Sequence, residues 1–230
     1  METVRLGDVL CTVKRSARRS VCVRVRDDGA AEVLAPNRLS RDEIVRLLSE
    51  YAPKLAAECE KRRQIAACRD TFVLDYGSEV RYLGEKRVIH SVSEQECDGE
   101  VFRIADGLAP EEIRCAVTDI YKREAKKYIP ERVRIIAERM GLFPTVVKIN
   151  SAVTRWASCS KKNSLNFSWY CMMASREVLD YIIVHELCHM KEFNHSPKFW
   201  AEVEPYSPEY KEHRAYLREL SRQIKYEKWE

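Results

Sequence analysis

DYIIVHELCHMKEFNH, from Asp180 to His195, is the stretch that decides the fold of this chain. The run Tyr181-Ile-Ile-Val184 is apolar and describes a helix buried in a core rather than one on a solvated surface. His185 and His189 are four residues apart, so on a helix both imidazoles lie on one face and reach one metal ion. The pattern H-E-x-x-H is typical of zinc-dependent hydrolases, and we therefore predict an active-site helix here.

Glu186 is the second functional residue of this helix. The 3.6-residue period turns it about 100° from His185, so its carboxylate does not share the ligand axis of the two histidines. A carboxylate in that place can hydrogen-bond a water held by the metal and accept its proton. We therefore predict that Glu186 is catalytic, as the general base.

The third metal ligand has to come from another part of the chain, because catalytic zinc sites use three protein ligands and keep one position for water. His195 is the nearest candidate. Asn194 tolerates the left-handed conformation that closes a helix, and Ser196-Pro197 is a helix-starting pattern, which places His195 in a corner between two helices. The predicted zinc ligands are thus His185, His189 and His195. A downstream carboxylate stays open as an alternative third ligand, from Glu202, Glu204 or Glu209.

Composition and length limit the classes of protein. With 230 residues the chain is long enough for one domain, or for a domain with a small companion, and its charged fraction of 33% is that of a globular protein. No apolar run approaches the roughly 20 residues that a membrane span needs, and the N-terminus has no apolar signal region. The nine cysteines are odd in number and form no C-x-x-C pair, so we expect reduced thiols and a cytoplasmic location.

The net charge of +4 comes from 40 basic and 36 acidic residues, a mixture that is typical of solvated surfaces. Two basic clusters, at residues 14–19 and 122–127, leave contact with nucleic acid or phosphate as an open alternative.

Taken in order, the chain predicts an α+β protein of two regions. Residues 1–106 form a strand-rich N-terminal region with one helix. It starts with a hairpin or three-stranded meander over residues 9–35, followed by a helix that the capping box Ser40–Glu43 opens and Pro53 interrupts. Further strands are predicted over residues 72–76, 79–83, 87–92 and 100–104. Residues 107–230 form the metal-binding catalytic domain. There we predict a helix over residues 110–140 closed by Gly141, strands over residues 145–149 and 164–170, and then the H-E-x-x-H helix.

Four ordered segments of the chain resemble a known family: RWASC at 155–159, LNFSW at 165–169, VHELCH at 184–189 and NHSPKFW at 194–200. They are similar to the YgjP-like metallopeptidase-type family, a bacterial group related to the SprT-like and WLM proteases within the zincins. The segments RSARR at 15–19 and AP at 35–36 resemble the family as well. The resemblance implies a zincin-like catalytic domain with metal on His185, His189 and His195 and with Glu186 catalytic. Ala157 stands where the family usually has glycine, which puts the shape of that loop in question.

Three functions remain to be separated. The leading one is a zinc metallopeptidase acting on a peptide or protein substrate, with residues 164–170 lying along the cleft as a strand that pairs with it. The second, implied by labels attached to members of the family, is a metal-dependent nucleoside-triphosphate pyrophosphatase with a nucleotide substrate. The third is a non-enzymatic binding module with a structural zinc. For Arg155 and Trp156 we favour structural support beneath the site over substrate contact.

Overall fold

The computed structural model describes residues 2–92 and 102–229. Contacts between Cα atoms divide this part of the chain into two compact units. The first holds the residues up to Phe72 together with Ile224–Lys228, and the second holds Val73–Gln223 together with Trp229. The domain boundary predicted between residues 106 and 107 stays a prediction, and it falls inside the second unit.

The first unit is built on a four-stranded sheet of β1 (Thr3–Leu6), β2 (Val9–Ser16), β3 (Cys22–Val25) and β4 (Ala31–Pro36) in the order β1-β2-β4-β3. The predicted hairpin is confirmed for β3 and β4, which pair antiparallel across the turn at residues 27–29. The three-stranded meander is wrong, because β4 inserts between β2 and β3 and runs parallel to β2. The burial of β4 explains its position: five of its six residues are buried, including Val33, which pairs with Val13 on one side and Val23 on the other. In a strand buried to this extent the backbone N–H and C=O groups are shielded from water, so they need partner strands on both edges.

Helices α1 (Arg41–Leu48) and α2 (Ala52–Thr71) complete the first unit, joined by a 3-10 turn at Ser49–Tyr51. The predicted capping box is confirmed: Ser40 Oγ accepts a hydrogen bond from the Glu43 backbone N–H, and the Glu43 side chain accepts one from the Ser40 N–H. The predicted interruption is also confirmed, since Pro53 lies in the first turn of α2.

The second unit begins with a three-stranded sheet in which β6 (Glu85–Val92) lies between β5 (Glu79–Tyr82) and β7 (Phe102–Ala105). The strand predicted over residues 72–76 is wrong. Phe72 instead closes α2, and a turn follows in which the Ser78 N–H donates to the Asp75 carbonyl at 3.0 Å. The predicted strand over residues 100–104 is found from Phe102 onward, and its first two residues lie outside the described part of the chain.

Helix α3 (Pro110–Met140) is the long central helix that the sequence predicts, and Gly141 ends it in the left-handed conformation with φ of 64°. Behind it comes a second small sheet, in which β10 (Ser164–Ser168) lies between β8 (Val146–Asn150) and β9 (Ala157–Cys159). Strand β10 runs parallel to β8 and antiparallel to β9. A 3-10 turn at Trp169–Met173 then leads to the remaining helices, which are α4 (Arg176–Cys188), α5 (Pro197–Val203) and α6 (Tyr210–Ile224).

The chain is therefore a mixed α+β protein with several small sheets, as the sequence predicts. Every cysteine in the described ranges is a free thiol. Among the described helices, none combines the length and the apolar character that crossing a membrane requires.

Candidate metal centre

Helix α4 carries the H-E-x-x-H pattern, and its start is well defined. Ser175 is its N-cap, with the side-chain oxygen accepting a hydrogen bond from the Val178 N–H at 3.4 Å. Its apolar residues Tyr181–Val184 are buried, as the sequence predicts. The predicted end near Asn194 is wrong: the helix stops at Cys188, and the Lys191 and Glu192 N–H groups both donate to the Cys188 carbonyl.

The corner after α4 nevertheless brings His195 back to the helix. Asn194 does not adopt the left-handed conformation that we expected of it. The second half of the prediction is confirmed, because Ser196 is the N-cap of α5 and Pro197 is in its first turn. The start of α5, more than the end of α4, therefore sets the position of His195.

The three predicted histidine ligands converge. One ring nitrogen of each of His185, His189 and His195 lies within 4.8 Å of the others. Nε2 of His195 is 3.0 Å from Nε2 of His185. Two nitrogens on one tetrahedral zinc are about 3.3 Å apart, given zinc–nitrogen bonds of about 2.0–2.1 Å. The cluster therefore fits a single zinc ion.

Contacts at Nδ1 orient two of these three imidazoles, those of His185 and His189. Nδ1 of His189 is 3.0 Å from the Glu192 carbonyl, which can only accept, so Nδ1 carries the proton and Nε2 keeps its lone pair. Nδ1 of His185 lies 3.4 Å from the Tyr181 hydroxyl. Burial, with the neighbouring histidines adding to it, lowers the pKa of His185 to about 3. The imidazole is thus neutral near pH 7, as metal binding requires.

Phe199 of α5 supports all three rings from one position. Its side chain is fully buried, and its ring centroid lies 4.8 Å from that of His185, 4.5 Å from His189 and 4.8 Å from His195. Trp200, next in the chain, stacks on His195 at 5.7 Å. Phe199 lies in one of the family-like segments of the sequence, but the local pattern predicts no role for it. The signal available was its place one turn beyond His195.

Glu186 lies beside the cluster rather than within it. The backbone N–H of Cys159 donates a hydrogen bond to its carboxylate, while Oε2 is buried and has no hydrogen-bond partner in the described structure. Burial raises the pKa of Glu186 to about 7, against the lowering effect of the Arg155 charge. None of the alternative carboxylate ligands joins the histidine cluster among the described residues, and Glu202 instead binds Lys191 at 2.7 Å.

Strand β9 is the strand next to Glu186, and the prediction that residues 164–170 pair with a substrate is wrong. Because β10 lies between β8 and β9, both of its edges are already paired. The unpaired edge that faces Glu186 belongs to β9, whose Cys159 supplies the N–H described above. Ala157 does not have a positive φ, so the alanine at the family's glycine position is not strained.

Trp156 and Arg155 differ in their surroundings. Trp156 Nε1 donates to Ser221 Oγ of α6 at 3.1 Å, and its carbonyl accepts from the Ser168 N–H at 2.7 Å. These bonds tie β9, β10 and α6 together, in agreement with a supporting role. Arg155 is exposed beside Glu186, and no hydrogen bond or ion pair to its side chain is found among the described residues.

The chain is similar to one protein family and to one solved structure. The family model described as "YgjP-like, metallopeptidase domain" matches residues 19–220. Among solved structures, the crystal structure of the metallopeptidase zymogen of Pyrococcus abyssi abylysin is similar at 25% identity over 36% of this chain and 89% of that chain, with a TM-score of 0.33. No curated protein matches. Since the family match spans most of the sequence, including the whole stretch from His185 to His195, the chain belongs to the YgjP-like metallopeptidase family.

Proposed function

We propose that the protein is a zinc-dependent peptidase with a zincin-like catalytic domain, in which His185, His189 and His195 bind the metal and Glu186 is the general base. One observation carries the proposal: three imidazole nitrogens converge next to a buried carboxylate that has one unpartnered oxygen. Membership of a metallopeptidase family supports the same reaction class.

Zinc, when bound, polarises the scissile carbonyl and lowers the pKa of a water molecule towards about 7. The protein's own groups provide the proton transfers. Glu186 accepts a proton at its free Oε2 and passes it to the nitrogen of the leaving amine. The Cys159 N–H holds the other side of this carboxylate, which fixes its direction. A raised pKa suits the role, because a general base near neutrality can both accept and donate at physiological pH.

The edge of β9 provides a place for an extended substrate. On either side of β9, the Ser160 N–H donates to the Ser164 carbonyl and the Ser168 N–H donates to the Trp156 carbonyl. The backbone groups of the even-numbered residues, Ser158 among them, therefore point towards β10. In an antiparallel pair the alternate residues, Ala157 and Cys159, then direct their backbone groups to the open edge. The Cys159 N–H is used there by Glu186, which leaves the Cys159 carbonyl and the backbone groups of Ala157 for a substrate. We propose that a peptide adds to this edge as a further strand.

The competing functions fit these contacts less well. Pyrophosphatases that use magnesium or manganese favour carboxylate ligands, whereas this cluster consists of three imidazoles. A triphosphate would also need cations close to the metal, and Lys191, which lies between His189 and His195 in the chain, is already paired with Glu202. A structural zinc would not require a buried carboxylate with a free oxygen beside it.

Glu186→Gln tests the mechanism, because the amide keeps the shape of the side chain but does not accept the proton. We expect bound zinc and folding to be retained while peptide hydrolysis falls by about 100-fold or more. Glu204→Gln is the control: Glu204 is exposed at the end of α5, and both zinc content and hydrolysis should stay at the wild-type level. Hydrolysis that persists in Glu186→Gln would refute the assigned base, and full zinc content in His195→Ala would refute the assigned third ligand.

A further inference from the structure

Helix α6 presents a row of cations that begins at the metal centre. Lys211, Arg214 and Arg218 are three and four residues apart, so they lie within about 60° of one another around the helix. All three side chains are exposed, and none forms an ion pair among the residues that the structure describes. We call these three residues the α6 basic stripe.

Aromatic contacts join this stripe to the histidines. The Arg214 guanidinium carbon lies 4.5 Å from the ring centroid of Trp200, and Trp200 stacks on His195 at 5.7 Å. Tyr210, at the start of α6, stacks on Trp200 at 4.9 Å, and the Lys211 Nζ lies 5.7 Å from the Tyr210 ring.

The acidic residues of α6 do not neutralise the stripe. Glu219 is bound by Arg222 at 2.6 Å, and Glu212 lies about 160° from Arg214 around the helix. A cation stacked on an aromatic face keeps its N–H donors at the ring's edge available for a carboxylate. The stripe is thus a set of unused anion-binding groups beside the site of hydrolysis.

We propose that the α6 basic stripe selects peptide substrates that carry acidic side chains on one side of the scissile bond. The inference rests on the proposed peptidase function and names the substrate class of the same site. The length of the stripe fits an extended peptide: Lys211 and Arg218 are separated by about 10.5 Å along the helix, at about 1.5 Å per residue. An extended peptide advances about 3.4 Å per residue, so about three consecutive residues pass along the stripe. Arg155, exposed beside Glu186, adds a fourth cation to the same site.

Binding to a catalytically silent protein tests this inference without relying on turnover. The probe is a fluorescein-labelled decapeptide with three consecutive glutamates, compared with its glutamine analogue, and the protein is zinc-loaded Glu186→Gln. By fluorescence anisotropy, we expect the acidic peptide to bind at least about fivefold more tightly at low salt, and the difference to shrink at high salt. Adding Lys211→Gln, Arg214→Gln or Arg218→Gln should each weaken its binding about two- to fivefold.

Arg222→Gln is the matched control, because Arg222 lies on the same helix face but is already paired with Glu219. It should change binding less than any stripe variant. Equal binding of the two peptides, or unchanged binding when all three stripe residues are replaced, overturns the proposal. The proposal is also overturned, in favour of a nucleic-acid partner, if single-stranded DNA with the same charge as the acidic peptide binds more tightly than that peptide and does so through the stripe. If acidic peptides bind through the stripe but wild-type protein cleaves none, the stripe stands and the peptidase function fails.

Discussion

Gly84→Ala should destabilise the second unit more than a glycine substitution of similar backbone geometry. Gly84 has φ of 85°, and a Cβ built there would lie 2.7 Å from Ser175 Cβ and 2.8 Å from Ser175 Cα. Both distances are shorter than real carbon contacts, so the backbone on one side has to move. Ser175 is the N-cap of α4, the helix that carries His185 and has His189 as its C-cap. The clash therefore acts on the start of the helix that leads to the proposed metal ligands.

Gly77→Ala provides the matched comparison. Gly77 has φ of 84°, but no heavy atom lies within 4 Å of a Cβ built on it. It should therefore show the cost of a left-handed alanine alone, about 1–2 kcal/mol in the free energy of unfolding. Gly84→Ala adds the cost of overpacking, about 1–3 kcal/mol, so its total should be about 2–5 kcal/mol.

Urea denaturation followed by circular dichroism measures both costs, and zinc content reports the effect on α4. We expect Gly84→Ala to lose stability and to bind zinc more weakly, while Gly77→Ala retains wild-type zinc affinity. Equal losses of stability in the two variants, to within about 0.5 kcal/mol, would show that contact with Ser175 does not determine the cost. If Gly84→Ala is destabilised but binds zinc with wild-type affinity, the position of the α4 N-cap does not determine the geometry of the site.

Two further substitutions probe the support of the site. Phe199→Leu removes three carbon atoms from a fully buried site and should cost about 1–3 kcal/mol of stability. It should also weaken zinc binding about 10- to 100-fold, because the three imidazoles lose their common support. Competition with a chelator measures this, and unchanged zinc affinity would contradict it. Trp156→Phe removes the hydrogen bond to Ser221 and should cost about 0.5–1.5 kcal/mol by urea denaturation. Made in the Trp156→Phe protein, Ser221→Ala should add little to that loss of stability. If the losses of the two single variants instead sum to that of the double variant, the hydrogen bond contributes nothing.

The features that the sequence predicts well depend on residues within one or two helical turns. The H-E-x-x-H spacing, the Ser40–Glu43 capping box and the closure of α3 at Gly141 are all of this kind. Each follows from a side chain's reach or from one residue's backbone preference. The same rule explains why His195 reaches the cluster even though the predicted end of α4 is wrong, since Ser196-Pro197 fixes the start of α5 locally.

Strand order could not be predicted in the same way, because it depends on pairings between distant segments. The alternating pattern of β10 is compatible with an edge strand or a central one, and nothing within residues 164–168 distinguishes them. Its two partners come from residues 146–150 and 157–159. Similarly, β4 is separated from β2 by β3 in the chain but lies next to it in the sheet. Packing against neighbouring strands and burial decide these positions, and both depend on segments that are distant in the sequence.

The register of β9 links this non-local pairing to the chemistry of Glu186. The pairing of Cys159 with Leu165 leaves the Cys159 N–H pointing out of the sheet, where it binds the Glu186 carboxylate. A slip of one residue would turn that N–H towards β10, because successive residues of a strand face opposite ways. Glu186 would then lose this bond and, buried as it is, have a less defined direction. A strand of three residues thus orients the proposed general base, and Trp156 holds the register by accepting the Ser168 N–H at its start.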